Sequence, residues 1–213
     1  RKQYMTKAVM GKTSFKIQRR LGVELPGLGK AGALARRPYG PGAHGMKRKK
    51  LSDYMVRLAE KQKLMFHYGL REKYLVNQVK KSKKDKSHSW VDTLVTTLER
   101  RLDNIVFRSG WAPSMGSARQ LVSHGHVLVN GNKVNIPSYV VKIEDKISLK
   151  EIALQNGSYL QAKARPRLAT IPAYLDKLGA SSREEVTIKS MPLPEDIPFP
   201  FEKRLVIEYY WKV

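Results

Sequence analysis

Basic residues are concentrated at the start of this sequence, and that concentration limits the folds open to it. Residues 1–50 contain 14 Lys or Arg and a single acidic residue, and Gly and Pro recur between residues 26 and 45. A segment of this composition buries little apolar surface by itself. We therefore expect short helical turns joined by irregular loops, ordered by packing against later helices or by a bound partner.

The excess of positive charge fades along the chain. The 213 residues carry 41 Lys or Arg against 18 Asp or Glu, a net charge of +23. The net charge is +5 over residues 51–100, +4 over 101–150 and +1 over 151–213. Such a charge destabilises a compact state by self-repulsion, so a polyanionic partner is expected, with nucleic acid first. The nearly neutral carboxy-terminal part is better suited to protein contacts.

An anionic membrane surface is a second candidate partner, but the sequence does not favour it. It shows neither a basic helix with a strong apolar face nor a lipidation signal. No apolar run approaches the roughly 20 residues needed to span a bilayer, and residues 1–10 lack the apolar block of a secretory signal. We expect a cytosolic protein, or its organellar equivalent, without membrane contact.

Helical periodicity begins after the basic segment. Apolar residues recur near the helix period from Leu51, Ser52 can cap the run and Gly69 can end it, which predicts a helix between these two residues. A second helix is expected over residues 70–81. A third is expected over 89–110 and a shorter one over 114–125, and a tight turn joins these two.

A strand signal follows directly. His126–Val129 reads as a strand, Asn130-Gly131 is a strong signal for a tight hairpin, and Lys133–Asn135 is expected to return. A further strand pair is expected at Tyr139–Val141 and Lys146–Leu149. Together with the two preceding helices, these strands predict a small helix-plus-sheet module.

The remaining residues give weaker signals. A weak helix is expected over residues 151–163 and a short one over 173–178. Extended runs are expected at Glu185–Met191 and Leu205–Tyr210, separated by a Pro-rich spacer at residues 192–200.

Two short patterns have ordinary explanations. Gly27 to Gly32 matches a dinucleotide-binding glycine pattern, but Pro26 precedes it where that motif requires a strand. His124 and His126 flank a glycine, yet the chain has no cysteine and no nearby carboxylates at the spacing of zinc ligands. The missing cysteines also exclude disulfides and thiolate nucleophiles. We expect no metal and no other cofactor.

Arg101-Leu102-Asp103 resembles the short catalytic signature of pseudouridine synthases, whose aspartate attacks the base. The match is three residues long, and the large sheet domain that this chemistry requires is missing. We expect Asp103 to be a helix-surface carboxylate paired with Arg100 or Arg108. No other catalytic arrangement is evident from the spacing.

The basic clusters favour RNA. Guanidinium groups suit bidentate phosphate contacts, and a neighbouring aromatic ring can stack on a base. The candidate contacts in the first segment are Arg36, Arg37, Tyr39, Lys47, Arg48, Lys49 and Lys50. In the helix-plus-hairpin module they are Arg100, Arg101, Arg119, Gln120, His124, Asn130, Lys133 and Asn135.

Two long motifs resemble ribosomal protein S-four of the bacterial and organellar small subunit. The first contains Arg36-Arg37-Pro38-Tyr39, Pro41-Gly42, His44-Gly45, the run from Arg48 to Tyr54, Glu60 to Lys63 and Tyr68-Gly69. The second contains the run from Leu98 to Asn104, Ala118 to Val122, His124-Gly125-His126, Val129-Asn130-Gly131 and Lys133 to Tyr139. The first motif adds His44 to the candidate RNA contacts.

The resemblance implies an α+β fold in two domains. A basic, mainly helical domain is expected over residues 1–97, completed by a carboxy-terminal segment at 163–213 with a small strand region. An RNA-binding module called the alpha-L motif is expected between them, at 98–162, with two helices and a small antiparallel sheet. Many family members have a zinc-binding cysteine cluster, but Gly32 stands where its last cysteine would fall.

The resemblance also implies a function. Members are structural proteins, not enzymes, that bind small-subunit ribosomal RNA first, nucleate assembly of the body and influence translational accuracy. Expected partners are ribosomal RNA, the neighbouring ribosomal protein S-five and, in some bacteria, the protein's own messenger RNA, with no small-molecule substrate. The alternatives are an RNA-modifying enzyme and a stand-alone RNA-binding stress or regulatory factor.

Overall fold

The computed structural model describes residues 14–47, 50–85, 89–168, 170–178 and 184–211. The chain divides into two compact units. The first, here called the helical unit, comprises residues 1–94 and 197–213, and the second, the mixed unit, comprises residues 95–196. None of the helices in the described ranges is long and apolar enough to cross a membrane.

The helical unit is built from short elements followed by long ones. Its helices are α1 (Ser14–Leu21), α2 (Ala33–Arg36), α3 (Asp53–His67), α4 (Glu72–Ser82), the first half of α5 (Trp90–Glu99) and α10 (Lys203–Tyr209). A 3-10 turn lies at Pro26–Leu28 in the glycine-rich pattern, and residues 14–25 before it contain no strand. Within residues 14–47, the expectation of short helical turns in the basic segment is confirmed, as are the helices expected near 52–69 and 70–81.

Local signals determine the limits of α3. The Ser52 hydroxyl accepts a hydrogen bond from the Met55 amide, which satisfies one amide of the first turn. The helix ends at His67, and the chain then turns away at Gly69, whose φ of 59° is a left-handed conformation that glycine adopts without strain. These are the capping and terminating residues that the sequence predicts.

The expected strand at Leu205–Tyr210 is wrong, because residues 205–209 belong to α10 and Tyr210 is its C-cap. The helix packs along α3, where Arg57 and Glu208 form an ion pair at 2.8 Å. Arg204 and Glu208 pair at 3.1 Å along the helix itself. Tertiary packing therefore overrides the β-propensity of the Val, Ile and Tyr side chains in this run.

A buried ion pair on α3 holds the carboxy-terminal chain. Glu60 and Lys63 are 7% and 8% exposed and bind each other. Lys63 Nζ also donates to the carbonyl of Pro200 at 3.2 Å, and the second oxygen of Glu60 accepts from the amide of Glu202 at 3.1 Å. Each buried charge thus has an opposite charge and a backbone partner, as burial requires.

The mixed unit contains helices and one five-stranded antiparallel sheet. Its further helices are α6 (Leu102–Arg108), α7 (Met115–Ser123), α8 (Glu151–Leu154) and α9 (Gly157–Ala164). Its strands are β1 (Val127–Val129), β2 (Asn132–Lys133), β3 (Lys146–Leu149), β4 (Leu175–Leu178) and β5 (Glu185–Ile188), in the order β2-β1-β3-β5-β4. Alternate residues of β1, β3 and β5 are buried, the period expected of a sheet with one covered face.

The helix expected over residues 89–110 is interrupted at Arg100 and Arg101. Arg101 has an extended backbone and forms an antiparallel bridge with Val140. The Leu102 amide donates to the carbonyl of Tyr139 at 2.8 Å, and the Val141 amide donates to that of Arg100 at 2.9 Å. Residues 139–141 therefore pair with this break and not with β3, which corrects the expected strand pair.

Two further expectations in the mixed unit need correction. The single helix over 151–163 is two helices, because the Asn156 side chain accepts from the Ser158 amide and starts α9 anew. The short helix expected over 173–178 is strand β4, which pairs with β5 in the register Leu175 with Ile188.

Strand pairing also changes the assignment of the carboxy-terminal segment. The family resemblance predicts that residues 163–213 complete the helical domain with a strand region of their own. Residues up to 196 instead belong to the mixed unit, because β5 hydrogen-bonds with β3, as in the pair Ile147 and Val186. The α+β class with a small antiparallel sheet is confirmed.

Glu99 is the centre of a buried polar network in the mixed unit. Its carboxylate is fully buried and accepts from Asn104 Nδ2 at 2.8 Å, Arg108 Nε at 3.1 Å and the Tyr174 hydroxyl at 2.8 Å. Burial, followed by the charge of Glu99, raises the pKa of Tyr174 well above its usual value. The carboxylate therefore connects α5, α6 and the start of β4.

Glu184 gathers a second group of donors. Its oxygens accept from the Trp111 indole at 2.9 Å and the Tyr159 hydroxyl at 2.7 Å, and they pair with Lys163 at 2.6 Å and Lys177 at 3.0 Å. Burial opposes ionisation, but the hydrogen bonds from Lys163 and its neighbours outweigh it and lower the pKa of Glu184 to about 2.

The Glu99 network predicts a large effect of Glu99→Ala. The substitution leaves the buried Arg108 guanidinium without its carboxylate, so we expect the free energy of unfolding to fall by about 3–5 kcal/mol. Glu151→Ala, at the exposed start of α8, is the control and should cost less than about 1 kcal/mol. Urea denaturation of both variants measures the difference, and equal losses would contradict a structural role for the network.

The lowered pKa of Glu184 predicts an acid-sensitive contribution to stability. Because the carboxylate is stabilised in the folded state, its contribution is complete above the ordinary pKa of 4.5 and disappears as the pH falls to about 2. Glu184→Gln has the same shape without the charge. We expect its unfolding free energy to lie below that of the wild type at neutral pH and the two to converge toward pH 2; parallel curves would contradict this assignment.

Candidate nucleic-acid interface

One cluster of cations lies at the start of the helical unit. We define the amino-terminal basic surface by the described side chains Lys16, Arg19, Arg20, Lys30, Arg36, Arg37, Tyr39, His44 and Lys47. Within residues 14–47, Glu24 is the single carboxylate, and it accepts a hydrogen bond from the Gly32 amide at 2.9 Å. The surface therefore has almost no negative charge to neutralise its cations.

Arg19 organises this surface. Its guanidinium donates to the carbonyls of Tyr39 and Gly40, both at 2.9 Å, and lies 4.9 Å from the centre of the Tyr39 ring. The loop is tight, since a β-carbon at Gly45 would overlap the carbonyl of Gly40. One arginine on α1 thus fixes the loop that carries the predicted aromatic residue.

Two open clefts adjoin Arg19. One, of about 560 Å³, is lined by Phe15, Arg19, Arg36 and Arg37 together with Ala33. The other, of about 460 Å³, shares Arg19 and Arg37 and includes Tyr39. Each cleft combines guanidinium groups with an aromatic ring, the combination that suits phosphates and unstacked bases.

The predicted residues of this segment are mostly exposed. The exposed ones are Arg36, Arg37, His44, Lys47 and Lys50. Tyr39 is half-buried beside Arg19, and Arg48 and Lys49 lie outside the described residues. The sequence interpretation omitted Lys16, Arg19 and Arg20, although their spacing on one short helix was a usable signal.

In the mixed unit, the β1–β2 hairpin carries several of the candidate RNA contacts that the sequence predicts for the helix-plus-hairpin module. Asn130 and Gly131 have φ values of 50° and 80°, the tight turn that this pair of residues predicts. The Asn130 amide donates to Asp145 at 2.8 Å, and its oxygen accepts from the Lys146 amide at 2.9 Å. The side chain of Asn130 therefore fastens the hairpin to β3, while Lys133 and Asn135 are exposed.

The end of α7 lies against this hairpin. A β-carbon at Gly125 would overlap Lys133 Cε, so the lysine side chain extends across the glycine. Gln120 and His124 are exposed beside it, and the rings of His124 and His126 are 6.1 Å apart. These groups form a compact polar surface at one end of the module.

Arg101 does not belong to that surface. It is 3% exposed, and its guanidinium binds both oxygens of Asp103 at 3.0 and 2.7 Å. Arg119, on α7, donates to the same carboxylate at 3.1 and 2.8 Å and keeps 29% of its side chain exposed. Arg101 thus lies inside the module, in contrast to its expected place on the surface.

The expected partners of Asp103 also need correction. Asp103 is fully buried and is not a helix-surface carboxylate, and its partners are Arg101 and Arg119. Arg100 donates instead to the carbonyl of Val141 at 2.8 Å, and Arg108 binds Glu99. Arg100 and Arg108, the partners expected for Asp103, therefore bind a backbone carbonyl and a different carboxylate.

No group of three metal-ligating side chains occurs within the part of the chain that the structure describes. The cations instead form two surfaces, one on a helix and loop, the other on a helix end and hairpin. Such surfaces suit a protein that binds folded nucleic acid mainly through phosphate and sugar groups.

Comparison with known proteins agrees with this class. Residues 11–99 match the family model of the ribosomal protein S4/S9 N-terminal domain, and residues 100–147 match that of the S4 domain. The chain is 55% identical to small ribosomal subunit protein uS4B of Bdellovibrio bacteriovorus, covering 94% of this chain and 96% of that one. It is 45% identical to uS4 of Methylobacillus flagellatus, covering 92% and 94%. The chain belongs to the ribosomal protein S4 family, a family of structural proteins and not of enzymes.

The contact of Gly125 with Lys133 predicts a local cost for Gly125→Ala. The φ of +71° is left-handed, so alanine should lower the free energy of unfolding by about 1–2 kcal/mol and displace the Lys133 side chain. Gly157→Ala is the control, since this glycine has open space around it and no positive φ. We expect that variant to be neutral or slightly more stable in urea denaturation; an equal loss in both would contradict the role of backbone conformation.

Proposed function

We propose that this protein is a structural component of the small ribosomal subunit and binds its ribosomal RNA. The observation that carries the proposal is the match to relatives named as small ribosomal subunit proteins, over 92–94% of the chain. The basic surfaces support it, because RNA binding by neutralised phosphates requires cations that are exposed and not compensated by neighbouring carboxylates.

The two surfaces suit different tasks. Arg36 and Arg37 are exposed on a surface with little negative charge, which suits sequence-independent attachment to the RNA backbone. The hairpin with Lys133 and the end of α7 with His124 are held in a packed frame, which suits recognition of the shape of a folded RNA junction.

The geometry disfavours the RNA-modifying alternative. A pseudouridine synthase needs an accessible aspartate nucleophile, whereas Asp103 is fully buried beneath Arg101 and Arg119. Two guanidinium groups at hydrogen-bond distance also compete for the lone pairs that would attack a base.

The finer role that we propose is that of a primary RNA binder that nucleates assembly of the subunit body and influences translational accuracy. Residues 186–213 have four basic and four acidic residues, so this segment is suited to protein neighbours such as S-five. Binding to the protein's own messenger RNA and a cytoplasmic location belong to the same proposal. Recovery of the chain with small subunits after a high-salt wash supports it, and free or substoichiometric recovery supports a stand-alone factor.

The attachment role predicts the salt dependence of Arg37→Ala. Loss of one phosphate contact should reduce the slope of log affinity against log salt concentration by about 0.7–0.9. Arg204→Ala removes the same charge from the helical unit at a side chain that is 84% exposed and paired with Glu208, so it is the matched control. We expect no change of slope for the control in filter-binding titrations with small-subunit RNA; equal slopes for both variants would refute the assignment.

The recognition role predicts a different result for Lys133→Ala. This variant should weaken binding to the cognate ribosomal RNA more than binding to an unrelated structured RNA, because the hairpin is positioned by its frame. Arg37→Ala should weaken both RNAs similarly. If the two variants behave alike on both RNAs, the division into attachment and recognition surfaces is incorrect.

A further inference from the structure

A cavity in the mixed unit lies outside the surfaces described above. Its volume is about 230 Å³, and it lies between the end of α6, the end of α9 and the chain that leads into β4. Four cationic side chains line it, namely Arg108, Lys163, Arg167 and Lys177, and no acidic side chain among the described residues does so. A cluster of four like charges around one small cavity requires compensation.

Two carboxylates that do not themselves line the cavity neutralise part of this positive charge. Arg108 binds the buried Glu99 at 3.1 Å, and Lys163 and Lys177 share Glu184 at 2.6 and 3.0 Å. Four positive charges therefore meet two negative ones. In the ion pairs of the described residues, Glu99 and Glu184 are thus shared among three of the four cations.

Arg167 is the lining cation that forms no ion pair with a carboxylate of the described residues. Its Nε atom is buried, and none of the described residues accepts a hydrogen bond from it. A buried donor without an acceptor costs about 1–3 kcal/mol, so an acceptor from outside the chain would be favoured. The guanidinium fork matches an oxyanion with two acceptor oxygens, and the hydroxyl-bearing Thr170 lines the same cavity.

The size and the apolar part of the wall restrict the ligand further. The volume is below the roughly 300–1,000 Å³ of sites for drug-sized ligands, so the cavity suits a small group and not a large cofactor. Phe107, Leu168 and Ile171 form part of the wall. Such side chains lower the local dielectric and strengthen the attraction between an anion and the cations.

We propose that this cavity binds a phosphate group, with Arg167 as its principal ligand and Lys163 and Lys177 as supporting charges. A phosphomonoester carries close to two negative charges at neutral pH, which suits a cavity lined by four cations and no described carboxylate. A phosphodiester of an RNA backbone has one, so it is the second possible source of the same group. The proposal does not depend on whether the chain binds ribosomal RNA.

The test compares two variants of the protein, each of which loses one positive charge. Inorganic phosphate and adenosine 5′-monophosphate are the probes, and binding is measured by equilibrium dialysis and calorimetry. Because a chain of net charge +23 also attracts phosphate nonspecifically, the control is Arg165→Gln, an exposed neighbour that does not line the cavity. We expect Arg167→Gln to bind phosphate at least about tenfold more weakly and Arg165→Gln to match the wild type within about twofold.

A second variant guards against loss of folding. Arg167→Lys keeps the charge and the aliphatic stem but removes the guanidinium fork, so binding should weaken by about threefold or more with an unchanged circular dichroism spectrum. Equal effects of Arg165→Gln and Arg167→Gln would mean that phosphate follows net charge alone and would overturn the proposal. Wild-type binding by Arg167→Lys would overturn the role of the guanidinium.

The source of the phosphate is resolved by repeating the dialysis with the chain bound to small-subunit RNA. Continued binding of the nucleotide, with unchanged RNA affinity of Arg167→Gln, assigns the cavity to a soluble phosphomonoester. Displacement of the nucleotide, with a larger loss of RNA affinity in Arg167→Gln than in Arg165→Gln, assigns it to the RNA backbone. Both outcomes support a phosphate site, and the measurements on the free chain stand even if no RNA complex forms.

Discussion

Sharing of a few buried or partly buried carboxylates among several donors is the interaction on which this structure depends. With 41 basic and 18 acidic residues, the chain cannot give each cation a partner of its own. Glu99, Asp103 and Glu184 each bind two or more donors inside the mixed unit, and Glu60 does so on α3. Each carboxylate thus connects several elements. Because these groups lie in or near the protein interior, loss of one donor leaves a polar group without its partner and destabilises the fold.

The positive surfaces lie where carboxylates are missing, because several carboxylates bind donors in the protein interior. Glu99, Asp103 and Glu184 bind arginines and lysines of the mixed unit, and no carboxylate among the described residues forms an ion pair with the exposed Lys133 of the hairpin. In the helical unit, the single carboxylate among residues 14–47 caps a backbone amide at Gly32. The excess positive charge therefore lies on the protein surface, because carboxylates are used to stabilise the interior.

Local chemistry made part of this fold predictable. The cap at Ser52 and the turn at Asn130-Gly131 act within a few residues, so sequence reasoning located α3 and the β1–β2 hairpin. The break at Arg101 and the strand β4 depend on partners distant in sequence, such as Val140 and β5, and were missed. The exposed arginines of the basic segment were found by composition, whereas the burial of Arg101 follows from three-dimensional pairing that no spacing rule encodes.

Asp103 illustrates how one carboxylate can link stability and recognition. It holds Arg101 inside the module and orients Arg119, which remains partly exposed on α7. The Asp103 amide also donates to the carbonyl of Pro137, in the chain that follows the hairpin. The helix pair and the segment after the hairpin are thereby fixed by the same residue. A frame fixed in this way suits the proposed recognition of RNA shape through phosphate and sugar contacts.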